Sequence, residues 1–237
     1  MRPQAEPPVT PPKWPKIAAL AVTQVQPVEL IHAKSGRHYR MMLVEKDGAL
    51  REQTLSEVRD FLACGKTKED HPIHPRLLSI LHAVAAAYPA RPLIVHSGYR
   101  HPEVSVHAKR SNHTRGRAID FRVQGVQNRE LFERLRQSFA GVGLGFYPNS
   151  AFVHLDVREQ NGLWVDYAGP GERACYSRAP LDDLDSGIAQ TLDAQQARAR
   201  GCDGAKTNDG DAQATSVAST VARKPAGDRD DLPTPTP

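Results

Sequence analysis

Cysteine is scarce in this 237-residue chain: Cys64, Cys175 and Cys202 are an odd number, with no pair at metal-ligand spacing. That argues against a thiolate zinc site. In an oxidising compartment Cys64 and Cys175 could pair and leave Cys202 free in the tail; reduced or structural thiols are the equal alternative. Long apolar runs are missing too. The longest near the start, Ile17–Val22, is too short to span a bilayer and follows a proline-rich stretch, so it makes neither a transmembrane segment nor a signal peptide. Aromatic residues are 6% of the chain and the formal net charge is only +4. Nucleic-acid binding needs a broad basic face interleaved with stacking aromatics. Only Phe121, Phe146 and Tyr147 stand near the basic clusters Lys109-Arg110 and Arg115-Gly116-Arg117, so that class is set aside.

What is present divides the chain in three. Residues 1–25 carry Pro3, Pro7, Pro8, Pro11, Pro12 and Pro15, a composition that stays extended and packs no core, so a disordered leader is expected. Residues 179–237 are rich in Asp, Ala, Thr and Gly, poor in aromatics, and close on Pro233-Thr234-Pro235-Thr236-Pro237; a disordered tail is expected, with a tether to the wall as the functional alternative. Between them, residues 26–178 are the right size for one domain.

Within that domain strands and helices alternate without a fixed period. Val28–Ala33 and His38–Val44 read as a hairpin joined through Lys34-Ser35-Gly36-Arg37. Thr54 with Glu57 three residues later has the form of a capping box ahead of the apolar stripe Leu55, Val58, Phe61 and Leu62. His74-Pro75 opens a second helix, which Pro89 stops, and residues 128–139 read as a third. Gly141, Gly143 and Gly145 then break the pattern. Strands before and after separate helices predict a single α+β domain with a mainly antiparallel sheet flanked by helices.

Two segments carry chemistry. From Arg117 to Val123 the chain alternates, placing Ile119, Phe121 and Val123 on a core face and Ala118, Asp120 and Arg122 on the other. In the later segment Val153, Leu155 and Val157 share one face while Phe152, His154 and Asp156 share the opposite one. His113 lies just before the first strand, and Thr114-Arg115-Gly116 supplies a turn that can fold its imidazole over that strand's open face. Two imidazoles and one carboxylate, His113, His154 and Asp120, make a zinc site with one coordination position left open, the hydrolytic kind.

These residues also carry a resemblance. Ser97-Gly98-Tyr99-Arg100, the run Ser111–Asp120 with six residues between His113 and Asp120, Gly143–Pro148, and Phe152-Val153-His154-Leu155-Asp156 resemble, in order, the motifs of the zinc D-Ala-D-Ala carboxypeptidase and murein endopeptidase superfamily. The YcbK-like murein endopeptidases look nearest, and the resemblance covers roughly Gln26 to Trp164. It implies zinc held by His113, Asp120 and His154. It implies for Arg100 the task of binding a substrate carboxylate or stabilising an oxyanion, for which a charged planar fork of donors is suited. Ser111 and Tyr99 are candidates to support the ligands.

One position departs from the wider superfamily, where an acid or a histidine two residues before the second histidine ligand serves as general base. Here that position is Phe152. Asp156, on the same face as His154, could be the base or could hold an imidazole in the correct tautomer, and the second is favoured. His96, His101 and His107 are further candidates. The resemblance implies a zinc-dependent peptidase hydrolysing amide bonds in peptidoglycan stem peptides or cross-links. The clusters Lys109-Arg110 and Arg115-Gly116-Arg117 beside the proposed zinc could form a basic rim that draws in an anionic substrate, with solvated surface as the commoner explanation. Two alternatives stand beside it: a non-catalytic wall-binding or scaffold protein that keeps its metal, and a D-Ala-D-Ala-type carboxypeptidase or dipeptidase. Periplasmic or exported placement is expected, with the export signal missing from this chain. Oligomeric state has no signature in the sequence.

Overall fold

The computed structural model describes residues 27–42, 51–104 and 111–204. The apolar alternation builds a seven-stranded sheet from β1 (Val28–His32), β2 (His38–Met41), β3 (Leu93–Ser97), β4 (Ala118–Val123), β5 (Val142–Phe146), β6 (Val153–Val157) and β7 (Gly162–Val165), in the order β2-β1-β3-β4-β6-β5-β7. The fold is α+β as expected, but the sheet is mixed rather than mainly antiparallel. Strands β1–β2, β3–β4, β4–β6 and β5–β6 pair antiparallel, while β1–β3 and β5–β7 pair parallel. The reason lies in the connections. Two helices, α1 (Glu52–Phe61) and α2 (Pro75–Ala87), intervene between β2 and β3 and return the chain beside β1 in the same direction. Only a crossover of that length allows a parallel neighbour.

Helix α2 starts on Pro75, with the ring of His74 accepting from Arg76 N at 3.2 Å. Its Leu77, Leu78, Leu81 and Val84 are buried, as are Leu131, Phe132 and Leu135 of α3 (Asn128–Ser138). They pack in one core with Val95, Ile119, Phe121, Val153 and Leu155 of the sheet. Helix α1 differs from expectation at its start. Arg51 is the N-cap by its backbone and does not cap the helix with its side chain, and Thr54 lies inside the first turn, buried, donating its hydroxyl to Met42 O at 2.8 Å. The tertiary partner took the hydroxyl that a capping box would have used.

Past residue 178 the chain does not follow the tail expectation. Short helices α4 (Pro180–Asp185) and α5 (Ala194–Ala199) and a two-stranded pair, β8 (Cys175–Tyr176) with β9 (Asp203–Gly204), occupy this stretch. Leu184, Ala189 and Ala197 join the core cluster, and Cys175 is bonded to Cys202. The Cys64–Cys175 pairing is therefore corrected: Cys64 is free and buried. A signal for α5 was in the sequence, since Asp193 and Gln196 form a capping box. The leader expected over 1–25 and residues 205–237 lie outside the described residues.

Candidate metal centre

The sheet has its core on one face and a cleft of about 650 Å³ on the other. Asp120 of β4 and His154 of β6 sit directly opposite in register, so period-two alternation aims both side chains into that cleft. His113 arrives from a 3₁₀ turn, Asn112–Arg115, whose N-cap Ser111 accepts from His113 N at 3.3 Å. The turn ends at Gly116 in the left-handed region, φ 61°, where an added Cβ would stand 2.1 Å from Pro72 O. No other residue fits there.

His113 Nδ1 lies 2.7 Å from Gly98 O. A carbonyl only accepts, so Nδ1 carries the proton and Nε2 presents its lone pair. The three donor atoms form a triangle: His113 Nε2 to His154 Nδ1 3.2 Å, His154 Nδ1 to Asp120 Oδ1 2.9 Å, and His113 Nε2 to Asp120 Oδ1 3.3 Å. A tetrahedral ion with bonds near 2.05 Å needs ligand atoms about 3.3 Å apart, so the donor set and its spacing fit such an ion. Among the described residues these three form the one cluster of metal-competent side chains, and all are buried.

Their electrostatics follow from the packing. Burial pushes the His113 pKa down. Burial also opposes ionisation of Asp120, but His113 and the Arg100 guanidinium outweigh it and hold the carboxyl well below the usual range. For His154 burial again favours the neutral ring, yet hydrogen bonds to Asp120 and Asp156 prevail and raise its pKa.

Arg100 follows β3 and comes to the site as expected. Its Nε donates to Ser97 Oγ at 2.9 Å and its Nη2 pairs with Asp120 Oδ2. Asp156 Oδ2 lies 3.1 Å from His154 Nε2, and Arg158 donates to both Asp156 oxygens. Phe152 lies between His96 and Tyr147, with ring centroids at 5.4 and 5.1 Å. His96 lines the cleft with a buried Nε2 that has no hydrogen-bond partner among the described residues.

Other expectations land elsewhere. Tyr99 is buried away from the ligands, stacked on His71 at 4.9 Å. His101 pairs with Glu69, Arg115 and Arg117 are exposed outside the cleft, and His107, Lys109 and Arg110 lie outside the described residues. Three neighbours of the site were missed: Tyr147, Arg158 and Trp164. Arg158, two residues past Asp156, was readable from the alternation that placed Asp156 itself. Trp164, whose ring is 5.0 Å from His154, was not, because β7 has only four residues.

A family model described as Peptidoglycan L,D-endopeptidase MepK matches residues 21–161. The chain belongs to this family. Similar curated relatives include Peptidoglycan L,D-endopeptidase MepK of Escherichia coli K12 and of Shigella flexneri. Each is 26% identical over 152 residues, covering 60% of this chain and 82% of the relative. The Probable peptidoglycan L,D-endopeptidase MepK of Haemophilus influenzae is 42% identical over 50 residues, 21% of this chain and 26% of that protein. No solved structure matches the chain significantly. His113, Asp120, His154, Arg100 and Asp156 all fall inside the MepK family match. Trp164 and the cleft wall from Asp166 to Tyr176 lie beyond it.

Proposed function

We propose that this protein is a zinc-dependent murein endopeptidase that hydrolyses amide bonds in peptidoglycan peptide cross-links. The observation that carries this is the triangle of His113, Asp120 and His154 donors at the floor of an open cleft, in a chain of the MepK family. These three residues would hold the ion. The chemistry zinc supplies in such a site is polarisation of an amide carbonyl and acidification of water.

The chain's own groups divide the remaining work. The Gly98 carbonyl and the Asp156 carboxylate fix the ring orientations of His113 and His154 by taking the N–H opposite each ligating nitrogen. Asp156 is the tautomer-holding residue rather than the base, because Arg158 and His154 already use its oxygens. Arg100 orients Asp120 through Oδ2 and keeps further N–H groups on the cleft side for a substrate carboxylate. Periplasmic or exported placement is supported by the Cys175–Cys202 disulfide, a bond that persists in oxidising compartments. No helix among the described residues is long and apolar enough to cross a membrane.

Digestion of purified muropeptides followed by mass spectrometry tests the function. Zinc-loaded protein should convert cross-linked dimers to monomers, and a chelator should stop it. Dimers left intact by zinc-loaded protein would favour the second reading, a wall-binding protein that keeps its metal, for which Phe152 at the usual base position is the supporting observation.

A further inference from the structure

Strand β5 has glycine at 143 and 145, and Gly145 sits between His154 on one neighbouring strand and Trp164 on the other. A Cβ on Gly145 would stand 2.6 Å from the Trp164 indole and 2.7 Å from the Tyr147 ring. The missing side chain opens a slot in which those two rings meet beside a metal ligand. Trp164 Nε1 lies 3.0 Å from Tyr147 Oη.

The direction of that hydrogen bond is fixed by chemistry. An indole N–H can only donate, so the phenol oxygen is the acceptor, and the Tyr147 proton must go elsewhere. Among the described residues no acceptor takes it, and Tyr147 lines the cleft. The sheet order β3-β4-β6-β5 puts Tyr147, just past the end of β5, on the opposite side of the Asp120–His154 pair from Arg100. Phe152 packs against the Tyr147 ring and limits its swing.

We infer that the Tyr147 hydroxyl, held by Trp164, is a catalytic hydrogen-bond donor to the carbonyl oxygen of the amide being hydrolysed, and strengthens its bond as that oxygen gains negative charge. This rests on the peptidase reading above. A neutral donor suits a carbonyl that becomes an oxyanion, whereas a standing carboxylate is better met by the guanidinium of Arg100 on the other side. Burial raises the Tyr147 pKa well above 10, so the group keeps its proton throughout. No proton is transferred and no bond to Tyr147 forms.

The test compares wild type with Tyr147→Phe, which keeps the ring and deletes only the hydroxyl. The readouts are kcat and KM on a cross-linked muropeptide dimer, zinc content, and affinity for a phosphinate isostere of the scissile amide, whose tetrahedral oxygens mimic the charged state. The expected result is kcat lower by about 10²- to 10³-fold with KM and zinc content unchanged. Phosphinate affinity should fall alongside kcat. Wild-type kcat in Tyr147→Phe, or equal phosphinate affinity in the two proteins, overturns the role and leaves the peptidase reading standing. Wild-type protein that neither cleaves the dimer nor binds the phosphinate removes both. If Tyr147→Phe does not fold, Trp164→Phe replaces it: releasing the phenol should lower kcat, and an unchanged kcat overturns the role.

Discussion

Arg158 grips both carboxylate oxygens of Asp156, Nε to Oδ1 at 2.7 Å and Nη2 to Oδ2 at 2.5 Å. Burial of Asp156 works against its charge, but the bonds from His154 and Arg158 overcome this and hold the carboxyl far below its ordinary range. A group so held does not collect a proton near neutral pH, which suits the orienting role proposed for it at His154. Asp156→Asn should therefore weaken zinc binding by about 10- to 100-fold, the usual cost of losing a partner behind a ligating histidine. Competition against a chromophoric chelator measures this, and activity should return with excess zinc. Wild-type affinity in the variant would contradict the orienting role.

The metal-free protein should be most stable near the ordinary histidine pKa of 6.5. His154 has its folded pKa raised above that value, so its contribution is fully present below 6.5 and is lost as pH rises through the raised value. His113 and His82 have folded values pushed below 6.5 by burial, so their contribution is present above 6.5 and is lost as pH falls from there through the lowered values. Zinc held at His154 would compete with protonation of that ring and should abolish the alkaline decline. Thermal melts across this range, with and without zinc, check both limbs. A metal-free protein that gains stability steadily up to about pH 9 would contradict the His154 assignment.

Gly116→Ala should cost more than about 2 kcal/mol and lower zinc content, because a left-handed backbone and a backbone oxygen both oppose the added methyl. The obstructing atom is Pro72 O, 2.1 Å from the added Cβ, and the Gly116 carbonyl also accepts from His74 N at 2.9 Å. The strain falls on the turn that carries His113. Urea unfolding and metal analysis of the same preparation would show both effects; zinc retained at full stoichiometry would separate the turn from the ligand.

Cys202→Ser should lower stability by about 3 kcal/mol, as expected for a bridge closing a loop of this length. The bridge spans 27 residues, and one end, Cys175, lies in the segment that walls the cleft. Its loss should raise KM for cross-linked dimers more than it lowers kcat. Steady-state kinetics beside denaturant titration would test this, and an unchanged KM would show that the wall holds without the bridge.

Much of the site was legible because strand alternation is local. Six residues around Asp120 and five around His154 suffice to put Asp120, His154 and Asp156 on the face opposite Ile119 and Leu155. Strand β5 was not legible, since Gly143 and Gly145 look like breakers in isolation. In the sheet they leave room for neighbours: an added Cβ on Gly143 would stand 2.3 Å from Asp156 Oδ2, as one on Gly145 would strike Trp164. The segment from 180 to 199 was misread for a related reason. Its few apolar residues, among them Leu184, Ala189 and Ala197, pack against a core built by distant parts of the chain, so composition alone does not reveal the helices.

The sequence by itself determined the residue types able to hold a metal, the strand face that Asp120 and His154 occupy, the α+β class and the resemblance to murein endopeptidases, because these depend on residue chemistry and short-range periodicity. Only the tertiary structure decided the pairing of Asp120 with His154, the parallel contacts that make the sheet mixed, the Cys175–Cys202 bridge, and the meeting of Tyr147 with Trp164 over Gly145. Each of these brings together residues that are not adjacent in the chain. Which distant segments meet is set by how the whole chain buries its apolar faces, and a local pattern carries no record of that.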